Sequence, residues 1–328
     1  MPPFKLLCAA LVGAALASPC LTAPALAAGY PDRPVTVVVP FPAGGASDST
    51  ARFMQPKMSE TLGQPVVIDN RAGANGANGA SHVAKSPADG YTLLVGSIGV
   101  FAINPALMPN LSYSPQKEFD LLTVAVRTPN VLVANPNFPA NTVAELIAYM
   151  KANPGKVTFA SSGIGSSDHL TAALFWQKTK TQGLHVPYKG GGPAISDLIG
   201  GHADVSFQNL GSVASQVKGG KLKILAVTAA ERTSLFPDTP TMAQAGVPGL
   251  EVYSWQAAAG PKGLPADVKA KLVAAFKAAL TDPDVIRKFN DIGFQVVNST
   301  PAEFEAFQAK EQAMWKGVID EGKISPTQ

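Results

Sequence analysis

Apolar and polar positions follow two alternating rhythms along this chain. Short apolar runs rich in β-branched residues, VTVVV from Val35, VVI from Val66 and TLLVG from Thr92, predict strands buried on both faces. Between them the spacing becomes helical. Ala51, Met54, Gln55 and Met58 fall on related faces after Asp48, and Gly63 stops the pattern. A glycine- and asparagine-rich loop, RAGANGANGA from Arg71, leads into a short helix ending near Lys85, and SPADG turns the chain. Strand, helix and short loop in alternation predict an α/β fold with a largely parallel sheet, whose ligands bind at strand C-termini.

The second half repeats this. Two strand-like runs, FDLLTVAV and VLVANP, are separated by Arg127–Asn130, where a first interdomain crossing is expected. Thr142 with Glu145 matches a capping box ahead of the helix TVAELIAYMKAN. Strands are then expected at VTFAS, LHVPY, ADVSFQN and KLKILAVTA, with a glycine turn and helix over KGGGPAISDLIGG. PDTPTMAQAGVPG reads as irregular, and EVYSWQAAAGP as the extended return crossing. The C-terminus reads as helices from Pro265 and Pro283, a strand FQVVN, and a last helix from Thr300 to about Glu321.

Two stretches have the same form. VTVVVPFPAGGASD runs strand, glycine turn, helix start, and VTFASSGIGSSDHL does so again in the second half. Free backbone N–H groups at such a turn, with the positive end of a helix dipole, make a site for an anion. Two such turns could face each other across a cleft.

Residues 1–28 carry one charge, Lys5, then an apolar Ala-rich run and small residues at Ala25 and Ala27. This reads as a secretory signal peptide cleaved near Ala28. Cys20 follows Ser18 and Pro19, a poor lipid-anchor context, and no later stretch is expected to span a membrane. Both cysteines, Cys8 and Cys20, fall in the removed segment, so the exported chain must rely on its core without disulfides. A formal net charge of only +3 gives no reason to expect nucleic acid or a membrane surface as partner.

Catalytic and metal patterns are missing. The first turn lacks a P-loop Lys-Ser/Thr and a GxGxxG, and GIGSS is not GxSxG. His82, His169, His185 and His202 have no metal-ligand spacing. Ser167, Asp168 and His169 are adjacent, so their side chains diverge and do not make a triad. Trp176, Trp255 and Trp315 are expected in the core or cleft. No catalytic residue, metal or cofactor is expected.

Taken together, VVVPFPAGGASD, NRAGANGANGA with PADGYTLL, FASSGIGSSDHL, VPYKGGGPAISDLIGGHADVSF and ERTSLFPDTPTMAQAGVPG resemble the Bug family. These are the extracytoplasmic solute-binding proteins of tripartite tricarboxylate transporters. The resemblance covers essentially the whole exported chain. It implies a two-domain Venus-flytrap periplasmic binding protein fold, with mixed, mostly parallel sheets and helices on both faces. Domain 1 would comprise residues 29–128 and 253–328, and domain 2 residues 129–252. Backbone N–H groups and bridging water would hold a ligand carboxylate at Phe41, Ala43, Gly44, Gly45 and Asp48, and at Ser162, Gly163, Gly165, Ser166 and His169. Tyr188, Lys189 and Gln208 would meet the variable end of the ligand. The asparagine loop departs from the family, with GANGANGA where GGNIG is frequent, and is not counted among these residues. The implied protein is a periplasmic monomer that binds a small carboxylate and delivers it to membrane permease subunits. The alternatives are a secreted α/β enzyme acting on a carboxylate and a binding protein that feeds a membrane sensor.

Overall fold

A computed structural model describes residues 29–326. Residues 1–28, where a signal peptide is expected, lie outside the described residues. The first half runs β1 (Val35–Val39), α1 (Ala46–Leu62), β2 (Val66–Asn70), a 3₁₀ turn (Ala74–Gly76), α2 (Ala77–Ala84), β3 (Thr92–Ser97), a π-turn (Gly99–Ile103), α3 (Asn104–Leu107), α4 (Pro115–Glu118) and β4 (Phe119–Ala134). The second runs α5 (Val143–Ala152), β5 (Thr158–Ser161), α6 (Ser167–Thr179), β6 (Leu184–Pro187), α7 (Gly191–Gly200), β7 (Val205–Asn209), α8 (Leu210–Lys218) and β8 (Lys223–Val227). The return comprises β9 (Tyr253–Pro261), α9 (Ala266–Leu280), α10 (Pro283–Asp291), β10 (Gln295–Val296) and α11 (Pro301–Gly322).

The strands form one curled sheet in the order β2-β1-β3-β9-β4-β7-β5-β6, with β8 and β10 also paired to β4. The expectation of a mostly parallel sheet holds only at the two ends. β1 lies parallel to β2 and β3, and β5 parallel to β6 and β7. The centre is antiparallel, because β4 and β9 carry the chain across in opposite directions.

The two runs expected on either side of Arg127–Asn130 are one 16-residue strand, β4. It pairs with β9 as far as Pro129, with β7 from Asn130 and with β8 from Val131. Arg127 is exposed, but Thr128 and Asn130 in the strand's polar break are buried and bonded. Thr128 Oγ1 donates to the Gly293 carbonyl, and Asn130 Nδ2 donates to Thr171 Oγ1. Tertiary partners satisfy groups that, in the sequence, look like a turn.

Helix ends follow the local chemistry. Gly63 caps α1 in the left-handed region at φ +69°. Thr300 and Glu303 form a complete capping box on α11. At α5, Thr142 accepts the Glu145 N–H, but the Glu145 carboxylate accepts from Asn141 N–H instead of the cap residue. Buried Ala51, Met54 and Met58 face the sheet, as the helical period predicts.

The core continues from one half into the other beneath α11. Trp255 and Trp315 are fully buried there, and Trp255 stacks on Phe101 with ring centroids 6.0 Å apart. Gln308 and Gln312 of α11 both donate to the Phe101 carbonyl in the π-turn. On the other side, the Val318 carbonyl of α11 accepts from Gln177 of α6. The last helix therefore touches both halves.

Candidate functional site

β1 and β5 each run into a glycine turn that opens a helix, and an aspartate anchors each turn. In the first, Gly44 takes φ +84° and Gly45 takes φ −81°. Gly45 is the N-cap of α1 and makes no side-chain cap, so the first-turn N–H groups are left for an acceptor from outside the helix. Asp48 folds back beneath the turn. One carboxylate oxygen accepts the Gly44 N–H at 2.9 Å and Arg52 Nε at 2.8 Å. The other accepts Asn70 Nδ2 at 3.0 Å, and the same amide holds the Phe41 carbonyl at 3.1 Å. Burial raises the Asp48 pKa, but the hydrogen bonds from Arg52, Gly44 and Asn70 outweigh it and hold the carboxyl below its usual range.

In the second turn Asp168 has the corresponding place. One of its oxygens accepts Ser162 N–H at 2.6 Å, Ser162 Oγ at 2.7 Å and Gln208 Nε2 at 3.3 Å. These donors are neutral, and burial pushes the Asp168 carboxyl above its usual range. Other N–H groups of this turn are also bonded inside it. Gly163 N donates to Ser161 Oγ at 3.2 Å, Gly165 N to His169 Nδ1 at 3.1 Å and Ser166 N to the Gly163 carbonyl at 3.1 Å. The sequence packs short polar side chains around the glycines, and those side chains satisfy the loop.

The expected residues therefore fall into two groups. Ala43, Gly44 and Gly45 are exposed, Phe41 and Ser162 are partly buried, and Lys189 is exposed. Asp48, Gly165, His169 and Gln208 are buried. Gln208 Nε2 is shared between Asp168 and Ser206. The Tyr188 hydroxyl donates to Asp197 at 2.8 Å.

His169 lies flat against His185, with ring centroids 3.7 Å apart and planes 5° from parallel. Burial lowers the His169 pKa to about 3, helped by the neighbouring ring, and lowers that of His185 to about 4. His185 Nε2 contacts Ser161 Oγ at 2.6 Å. Ser161 is only 1% exposed, so this Ser–His contact holds the loop and offers no nucleophile to a substrate.

The two turns meet through residues the sequence reading did not count. Asn75, in the asparagine loop, donates from Nδ2 to the Gly165 carbonyl at 3.3 Å. A Cβ on neighbouring Gly76 would lie 3.0 Å from the Phe41 ring. The chain from Phe41 through Gly76 and Asn75 to Gly165 thus links both loops. The usable signal was the asparagine itself, a residue that tolerates the left-handed backbone found at Asn75. Asn70, Arg52 and Asn104 carried no local mark. A cavity of about 440 Å³ lies elsewhere, and one of about 500 Å³ borders the second turn only through His169 and His185. Among the described residues no cluster of His, Cys, Asp and Glu fits a metal ion.

Residues 50–324 match the family model described as the tripartite tricarboxylate transporter family receptor. The chain belongs to this receptor family. It is 38% identical over 313 residues to Protein BugT of Bordetella pertussis (strain Tohama I), covering 95% of this chain and 96% of that protein. The solved structure of R. palustris Rpa4515 with adipate is similar at TM-score 0.84 and 36% identity, over 90% of this chain and 99% of that one. MatC from Rhodopseudomonas palustris with bound malate gives TM-score 0.81 and 34% identity, over 88% and 100%. The Bug resemblance and the binding-protein fold expected from the motifs both hold for this receptor-family chain. The family is named for a receptor, and none of these relatives is named as an enzyme.

Proposed function

We propose that this receptor-family chain is exported, captures a small carboxylate between two lobes, and delivers it to the membrane subunits of a tripartite tricarboxylate transporter. The observation that carries this reading is the pair of aspartate-anchored glycine turns, linked to each other through Asn75. The lobes correspond to residues 29–128 with 253–328 and to residues 129–252, with β4 and β9 as the crossings. α11 spans both lobes, so closure would pivot beneath it. The first turn, at Phe41, Ala43, Gly45 and the start of α1, would meet the carboxylate with backbone N–H groups. In the second turn Ser162, Gly163, Gly165, Ser166 and His169 would shape the opposite wall, with Asp48, Asp168 and Gln208 fixing both turns from behind. Lys189 would reach the far end of the ligand, and Tyr188 would position the chain beside it.

The carboxylates held by Rpa4515 and MatC, adipate and malate, define the first ligands to test. Charge-assisted hydrogen bonds contribute roughly 1.5–3 kcal/mol each, so a few suffice for micromolar affinity after ordering costs. Titration calorimetry and thermal shift with adipate, malate and their diamides should give binding for the acids only. At about 100 times its dissociation constant, a ligand adds roughly 2.7 kcal/mol of stability. That raises the melting temperature by several degrees, at about 2–4 °C per kcal/mol for this size. Equal binding of acids and diamides, or turnover of either acid, would defeat the proposal. N-terminal sequencing of the exported protein should begin at Ala28 or Gly29.

A further inference from the structure

We propose that Asn75 is the latch of the closed form: its amide, fixed from within the first lobe, bonds Gly165 of the second lobe and sets the balance between open and closed protein. The proposal rests on the reading above that ligand is captured between lobes.

The amide is held from one side. Asn75 Nδ2 has two hydrogens, one for Asn104 Oδ1 at 3.0 Å and the other for the Gly165 carbonyl at 3.3 Å. Asn104 returns the contact, donating to the Asn75 carbonyl at 3.0 Å and to the Tyr113 hydroxyl at 3.3 Å. Tyr113 in turn donates to the Val100 carbonyl at 2.8 Å. Asn104 is fully buried and Tyr113 nearly so. Every other member of the network belongs to the first lobe, so the bond to Gly165 is the one hydrogen bond of the network that parting of the lobes would break. A donor already immobilised costs little entropy to engage.

Gly165 is shaped to receive it. Its φ is +76°, which favours glycine, and a Cβ there would lie 2.3 Å from Leu107 Cδ2, so a larger residue would strain the loop and displace that side chain of α3. Its carbonyl takes Asn75 and its N–H goes to His169, which joins the latch directly to the second turn. One hydrogen bond with one apolar contact is a small bias, as a receptor that must reopen requires.

The test uses the absence of cysteine after residue 28. Thr61→Cys and Lys151→Cys, both at exposed positions, place one spin label on each lobe of the processed protein. Asn75→Gly deletes the amide without straining a positive φ, and Asn75→Asp replaces the donor by an acceptor facing a carbonyl. Both should shift the double-resonance distance distribution toward longer separations and weaken malate or adipate binding about three- to tenfold. Asn78→Ala, nearby in the first turn of α2, should change neither. Unchanged distances and affinity in both Asn75 variants would overturn the latch, as would lower thermal stability with unchanged distances. If neither acid binds the parent protein yet Asn75→Gly lengthens the distance, adipate and malate are excluded as its ligands and the latch stands.

Discussion

His169 and His185 stack ring on ring, 3.7 Å apart, and His169 Nδ1 accepts the N–H of Gly165. Burial depresses both pKa values, to about 3 and about 4. A histidine held neutral in the native state costs nothing above its ordinary value near 6.5, where folded and unfolded chains are both neutral. As the pH falls below about 6.5 the unfolded chain takes up protons that the native chain refuses, so stability is lost until the native rings protonate near pH 4 and pH 3. Denaturant unfolding between pH 7.5 and 4.5 should show this fall. His185→Phe keeps a ring against His169 and should flatten the slope. An identical slope in the variant would sink the idea.

Asp48 holds the first turn with a cation among its donors, and Asp168 holds the second with neutral groups. Asp48→Asn removes the charge and sets an amide donor against the Gly44 and Asn70 donors. It should weaken carboxylate binding by about 1.5–3 kcal/mol, the range for hydrogen bonds to charged groups. The variant should remain folded by circular dichroism. Calorimetry giving parental affinity would show that the anchor does not position the turn.

Gly44 and Gly45 make different demands. Gly44 holds the left-handed conformation, at φ +84°, and Gly45 does not. Gly44→Ala should therefore cost about 1–2 kcal/mol of stability through backbone strain. Gly45 has ordinary φ, and a Cβ there meets only the Pro42 carbonyl, at 3.5 Å. Gly45→Val should leave the melting temperature of the free protein near the parental value while abolishing the thermal shift on adding acid. The opposite pattern, with Gly45→Val unstable and Gly44→Ala neutral, would refute this geometry.

Glu311 accepts the indole N–H of Trp255 at 2.9 Å and of Trp315 at 3.2 Å with the same oxygen, and burial raises its pKa. Glu311→Ala leaves two buried donors unpaired, at about 1–3 kcal/mol each, whereas Glu311→Gln keeps an acceptor. The alanine variant should unfold at distinctly lower urea than the glutamine variant, with an altered tryptophan emission spectrum. Equal midpoints for the two would show that the indole bonds carry no weight.

What the sequence determined by itself was local. The alternation of β-branched runs and helical periods placed most strands and helices, because burial on a sheet face and on a helix face repeats at different intervals. Glycine turns ahead of Asp48 and Asp168 were visible for the same reason. Helix α8 and the π-turn went unread, since the nine residues of LGSVASQVK give fewer than three turns of period and a π-turn has no periodic mark. Tertiary structure decided whatever depends on which strands become neighbours. The sheet centre became antiparallel, and Asn130, polar in an apolar run, became buried because Thr171 and Thr228 reached it from distant segments. Asn75 met Gly165 across ninety residues of sequence. The second turn spent its N–H groups on its own serines, aspartate and histidine, a choice made by where those side chains point once α6 is docked. A hydrogen bond between distant residues leaves no period in either segment, and so only the folded chain reveals it.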